Sequence, residues 1–125
     1  MNDPVRQTAE PEERMQVEVE QAAPDVAVLR LTGDLDLLTA GVLHGRLWPH
    51  LERPNSTVVL DFAQVGFLGS AGLSELVAAN DTATKNGVRL VLVASSRTVL
   101  RPLEITGLRS LFQVFDSVEA ALRQV

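Results

Sequence analysis

The residues best placed for chemistry lie in one stretch, Leu68-Gly69-Ser70-Ala71-Gly72-Leu73. A hydrolase elbow carries its nucleophilic serine as G-x-S-x-G between a strand and a helix. Here Leu68 stands where the first glycine belongs. Both histidines, His44 and His50, precede the serine, so no acid-then-histidine pair follows it. Ser70 therefore has no general base of the usual kind. The histidines are six apart, which does not place them on one helical face. With few other ligand types nearby, a metal centre is not expected. Gly66, Gly69 and Gly72 recur every three residues, but no lysine follows, so neither a P-loop nor a dinucleotide fingerprint is present. Small residues here suit a loop that passes close to the next helix.

Two roles remain for Ser70. At a helix start its oxygen can cap the backbone by accepting an N–H. Alternatively, its hydroxyl can accept a phosphoryl group. That group would meet the positive helix end and its free amides. It would also bring about two negative charges onto a small, apolar surface, which opposes docking of a partner.

The elements that must position this stretch follow from periodicity. Met15, Val17 and Val19 alternate with Gln16, Glu18 and Glu20, the pattern of a strand with one wet face near a sheet edge. Pro24-Asp25 turns the chain, and Val26–Leu31 forms an antiparallel second strand. Thr32-Gly33-Asp34-Leu35-Asp36 breaks it. Thr39 is placed to cap a helix bearing Val42, Leu43, Leu47 and Leu51, with Pro49 expected to end or kink it. Thr57–Phe62 reads as a strand buried on both faces. Ser70 opens a long helix to about Lys85, with Leu73, Leu76 and Val77 inward and Asn86-Gly87 as its stop. Val88–Val93 is another buried strand. A helix follows from about Thr98 to Thr106, its start placed late because of Pro102. Phe112–Phe115 is a final short strand, and Asp116 with Glu119 resembles a capping box for the last helix. Helices alternating with apolar strands mean an α/β fold on a mixed sheet.

Composition bounds the function. The chain has 125 residues and 46% apolar content, enough for one globular domain. It has no cysteine, which excludes disulfides, thiolate metal sites and redox control through thiols. Residues 1–25 hold seven acids and two bases, and residues 26–125 hold nine of each, so the net charge of −5 resides in the N-terminal fifth. Residues 1–14 read as a flexible acidic tail, unlike a signal or transit peptide. A pI near 4.9 argues against nucleic acid or an anionic lipid surface as a direct partner. No apolar run reaches the roughly 20 residues of a membrane span, and a cytoplasmic location is expected.

Three segments resemble the STAS domains of bacterial anti-sigma factor antagonists. Thr32-Gly33-Asp34-Leu35-Asp36-Leu37-Leu38-Thr39-Ala40 is similar to the family's G-E-[LI]-D-x-x-[TS]-A segment. Val65-Gly66-Phe67-Leu68-Gly69-Ser70-Ala71-Gly72-Leu73 is similar to its V-x-F-[ML]-D-S-[STA]-G-L loop. Val99–Leu108 is similar to its V-x-R-x-[LF]-x-[LIM]-[ST]-G-L helix and turn. The three stand in the family's order and spacing, covering roughly residues 15–125.

The resemblance implies a four- to five-stranded mixed sheet with about four helices packed mainly on one side. It also implies a function without catalysis or a cofactor. The unphosphorylated protein binds an anti-sigma factor, a serine kinase of the histidine-kinase-like ATPase fold, and frees a sigma factor for transcription. The kinase phosphorylates the loop serine, the complex dissociates, and a serine phosphatase restores the active form. Carried over, Ser70 is the phosphorylated residue. Gly69, Gly72 and Leu73 beside it, with Asp34, Asp36 and Thr39 of the neighbouring loop, form the partner surface. The free protein is expected to be a monomer. One position departs: the family's aspartate before the serine is Gly69, which removes a carboxylate beside the acceptor. Two alternatives follow, an antagonist not regulated by phosphorylation, or a STAS ligand-binding or scaffold module.

Overall fold

The computed structural model describes residues 10–125. Most of the expected acidic tail, residues 1–9, lies outside the described residues. Pro11–Arg14 (α1) is not tail-like: it forms one helical turn, closed by a capping box between Glu10 and Glu13.

Five strands form one mixed sheet in the order β1-β2-β3-β4-β5. β1 (Met15–Ala23) and β2 (Val26–Leu35) make an antiparallel hairpin. β3 (Thr57–Leu68), β4 (Arg89–Val93) and β5 (Gln113–Phe115) each pair in parallel with the strand before. On the edge strand Met15 and Val17 are buried while Gln16, Glu18 and Glu20 face water. Those charges discourage pairing with a further strand.

Four longer helices cover the sheet unequally. α2 (Ala40–Leu51), α3 (Ser70–Asn86) and α4 (Arg97–Ile105) share one face. There Leu43, Leu47 and Leu51, Leu76 and Ala79, and Val99 and Leu103 pack on Leu29, Leu31, Leu60, Phe62 and Leu92. Each buried leucine contributes about 1.5–3 kcal/mol. The other face is covered by α5 (Val118–Arg123), where Ala121 meets Val28, Val59 and Val91. Burial on both faces explains the unbroken apolar run in β3 and β4.

The structure departs from the expected elements in several places. β2 does not break at Thr32-Gly33 but continues to Leu35 across two register shifts. Gly33 carries the irregularity at φ +118°, and a Cβ there would come within 1.9 Å of the Arg14 carbonyl oxygen. β3 likewise runs to Leu68 rather than ending at Phe62. α2 passes through Pro49 and α4 carries Pro102 mid-helix. Buried Leu47 and Leu51 flank the first proline and buried Val99 and Leu103 the second, so core packing outweighs the lost hydrogen bond. Ser117, not Asp116, caps α5, accepting the Ala120 amide at 3.0 Å.

Candidate functional site

The lengthened ends of β2 and β3 create the site. β4 pairs with β3 only as far as Asp61, so the last turn of β3 runs on beside β2 alone. Asp34 lies opposite Phe67, and Leu35 opposite Leu68. The Gly69 amide then donates to the Leu35 carbonyl at 2.9 Å. The loop after β2 and the start of α3 thereby lie side by side.

Ser70 is the first residue of α3, and the N-cap is Gly69 in extended conformation. The capping role open to Ser70 is thus taken by a residue without a side chain. No side chain accepts the first-turn amides of this 17-residue helix. Ser70 itself is exposed. It lies between two depressions. One, of about 350 Å³, is lined by Asp36, Leu37, Phe67, Gly69 and Ser70. The other, of about 360 Å³, runs between α3 and the end of α4, where Ser70, Leu73 and Val77 face Thr106 and Leu108. Ser74, one turn along α3, borders both.

The neighbouring loop is a closed hydrogen-bonded unit. Asp36 Oδ1 accepts the amides of Leu38 at 2.9 Å and Thr39 at 3.1 Å. Thr39 Oγ1 accepts the Asp36 amide at 2.9 Å and donates to the Asp34 carbonyl at 2.6 Å. The other Asp36 oxygen accepts from the Arg14 guanidinium. Burial alone would raise the Asp36 pKa. The Arg14 hydrogen bond and the Leu38 and Thr39 amides outweigh it and hold the carboxyl below its ordinary value.

These contacts redistribute the expected site residues. Ser70 is exposed, and Asp36 and Gly69 beside it are half-buried. Asp34 is half-buried; a Cβ on Gly66 would lie 3.2 Å from its carboxylate. Thr39 is 0% exposed and pins the loop from beneath, so a direct contact with a partner is not available to it. Nor does its side chain cap α2. Gly72 and Leu73 are also interior. A Cβ on Gly72 would meet Leu35 Cγ at 2.7 Å and Leu68 Cδ1 at 2.8 Å, so the glycine permits close packing of α3 rather than contact outward.

Three surface residues escaped sequence reasoning. Leu37 is 81% exposed, Leu38 63% and Phe67 50%, all around the Asp36 and Ser70 loops. Two adjacent leucines straight after a strand break were the available signal, since an apolar pair in a loop buries little. Arg14 had no such signal.

The histidines are elsewhere, on α2. His44 Nδ1 lies 2.6 Å from Glu75 Oε1, and its ring stacks on Trp48 at 3.8 Å. Burial, then Arg53 and Arg46, push the His50 pKa down. Among the described residues no group of three acidic or histidine side chains is placed to hold a metal ion. No helix among them is long and apolar enough to cross a membrane.

The STAS domain model matches residues 16–121, nearly the whole described chain. The chain belongs to the STAS-domain anti-sigma factor antagonist family. The STAS domain is 33% identical over 100 residues to the anti-sigma-F factor antagonist RsfB of Mycobacterium tuberculosis, covering 80% of this chain and 81% of the relative. Among solved structures, an anti-sigma factor antagonist from Mycobacterium paratuberculosis superposes with a TM-score of 0.80 at 29% identity, covering 89% of this chain and 93% of the other. SpoIIAA in its unphosphorylated form shares the fold, with a TM-score of 0.71 at 20% identity and coverage of 87% and 97%. The five-stranded mixed sheet of this STAS domain, with helices chiefly on one face, is the architecture the sequence motifs imply.

Proposed function

We propose that this STAS domain binds an anti-sigma factor that is a serine kinase of the histidine-kinase-like ATPase fold, and that phosphorylation of Ser70 ends the binding. The observation that carries the reading is the exposed Ser70 hydroxyl at an uncapped helix start, bordered by Leu37 and Phe67. The partner of the relative RsfB is, by that protein's name, an anti-sigma-F factor. Here the corresponding role is release of a sigma factor from its inhibitor in the cytoplasm.

Chemically, Ser70 is a substrate group. Its Oγ attacks the γ-phosphorus of ATP held by the kinase. The new Oγ–P bond replaces the bond to ADP, and the hydroxyl proton passes to a base that the kinase supplies. Exposure gives access, and the first-turn amides stabilise the anionic product. The product carries about 1.5 to 2 negative charges at neutral pH. Those charges sit beside Leu37, Phe67 and the Asp36 carboxylate. Docking would then require stripping water from a phosphate on an apolar face near a like charge, which favours dissociation. Hydrolysis by a serine phosphatase returns the neutral surface.

Gly69 favours a second reading, an antagonist without a phosphorylation cycle. The glycine leaves no carboxylate beside Ser70, and the exposed Phe67 ring lies over the vacant position, 2.9 Å from where a Cβ would stand. Intact mass after incubation with the cognate anti-sigma factor and ATP decides. One added phosphate, absent from Ser70→Ala, supports the switch. Stable complex with no added phosphate leaves the unregulated antagonist. No complex at all removes both and favours a ligand or scaffold module.

A further inference from the structure

We propose that Arg14 is a positioning residue for the Asp36–Thr39 loop, tying the segment that precedes the STAS match to the surface that carries Leu37 and Leu38. Its consequence for partner binding rests on the function proposed above; its geometry does not.

Four observations carry it. First, the two oxygens of Asp36 have separate tasks. Oδ1 accepts the Leu38 and Thr39 amides, and Oδ2 accepts the Arg14 guanidinium. The carboxylate is therefore held from both sides, and rotation that would release the amides must also break the ion pair. Secondly, both side chains are largely withdrawn from water. Such a pair is less screened than a surface ion pair, which contributes little. Thirdly, the Arg14 backbone is itself fixed. Its carbonyl oxygen occupies the space beside Gly33, where a Cβ would lie only 1.9 Å away, and the next residue, Met15, is fully buried. An anchored backbone presents the guanidinium with less entropy to lose. Fourthly, Arg14 ends α1, whose capping box orders residues 10–13, and it precedes the STAS match at residue 16. The loop's second support, Thr39, lies within its own sequence; Arg14 reaches it across 22 residues.

The inference separates two functions of the N-terminal region. Its acidic residues bear the net charge of the chain, whereas Arg14 acts on the loop. Leu37 and Leu38, mostly exposed, gain little from burial, so their conformation depends on the hydrogen bonds beneath them.

Amide hydrogen exchange, followed by NMR on the full-length free protein, tests this without a partner. In Arg14→Gln, exchange at Leu38 and Thr39 is expected to quicken about tenfold, the scale of a lost charged hydrogen bond. Leu43 and Leu47 amides in α2 should keep their wild-type rates. Arg14→Lys should restore most of the protection, because charge at that site is retained. Unchanged Leu38 and Thr39 exchange in Arg14→Gln overturns the proposal. So does equal acceleration at Leu43 and Leu47, which marks a general loss of stability, and so does a Lys variant that protects no better than Gln. A failure here leaves the antagonist reading standing, and absence of an anti-sigma partner leaves these exchange rates unaffected.

Discussion

The Gly69 amide donates to the Leu35 carbonyl at 2.9 Å, joining the end of β2 to the start of α3. This one bond brings two loops, more than 30 residues apart in sequence, to a common surface. Everything proposed for Ser70 depends on that adjacency, because a phosphate matters to a partner only where the partner also touches Leu37, Leu38 or Phe67.

Ser70→Asp places a carboxylate in the first turn of α3. Acids there stabilise a helix by about 0.3–1 kcal/mol. The variant should thus melt no lower than wild type, yet bind the anti-sigma factor at least about tenfold more weakly by calorimetry. Ser70→Ala should bind as wild type and resist release by ATP. Equal affinities for all three proteins would remove the switch.

Leu37→Asp and Leu38→Asp alter exposed side chains. Stability should stay within about 0.5 kcal/mol by urea titration. Affinity for the anti-sigma factor should fall by more than about tenfold, as expected when a charge enters an apolar contact. Full affinity in both variants would move the interface off this loop.

Gly72→Ala adds a methyl where Leu35 and Leu68 stand within 2.8 Å of the new atom. Overpacking of this kind costs about 1–3 kcal/mol, visible as a lower urea midpoint with an unchanged slope. Wild-type stability would mean that α3 shifts freely, and that its register to β2 is not set here.

Gly69→Asp installs an acceptor at the N-cap of α3, but the Phe67 ring must first swing aside. The cap gains a few tenths of a kcal/mol over glycine, and the exposed ring gives way at little expense. Net stability should remain within about 0.5 kcal/mol of wild type. The Ser70 phosphorylation rate, measured against wild type with the same kinase, should rise if a neighbouring carboxylate assists; an unchanged rate assigns Gly69 no part in acceptor choice.

The Asp36 carboxyl is held below its ordinary value because the Arg14 pair and the two loop amides outweigh burial. A depressed folded pKa means that the unfolded chain binds the proton more readily. The resulting stability is complete above the unfolded value of about 4 and fades as pH falls through the folded one. Asp36→Asn should therefore lose stability relative to wild type at neutral pH, and the gap should narrow in acid. Parallel urea midpoints of the two proteins from pH 7 to pH 2 would refute this.

Much of the architecture was legible along the chain. Period-two alternation marked β1, apolar runs marked β3 and β4, and Asn86-Gly87 marked the end of α3, since each depends on residues close in sequence. The place of Ser70 at the start of α3 was legible too, from the small residues around it, whereas Asp36 entered as a site residue only through the resemblance to the family. Tertiary structure alone decided how far β2 and β3 extend, because a bulged strand continues only where a neighbour supplies its hydrogen bonds. It alone turned Thr39 and Gly72 inward, left Leu37, Leu38 and Phe67 facing water, and set Arg14 against Asp36. Those outcomes follow from contacts between distant segments, and a local pattern carries no record of what will lie across from it.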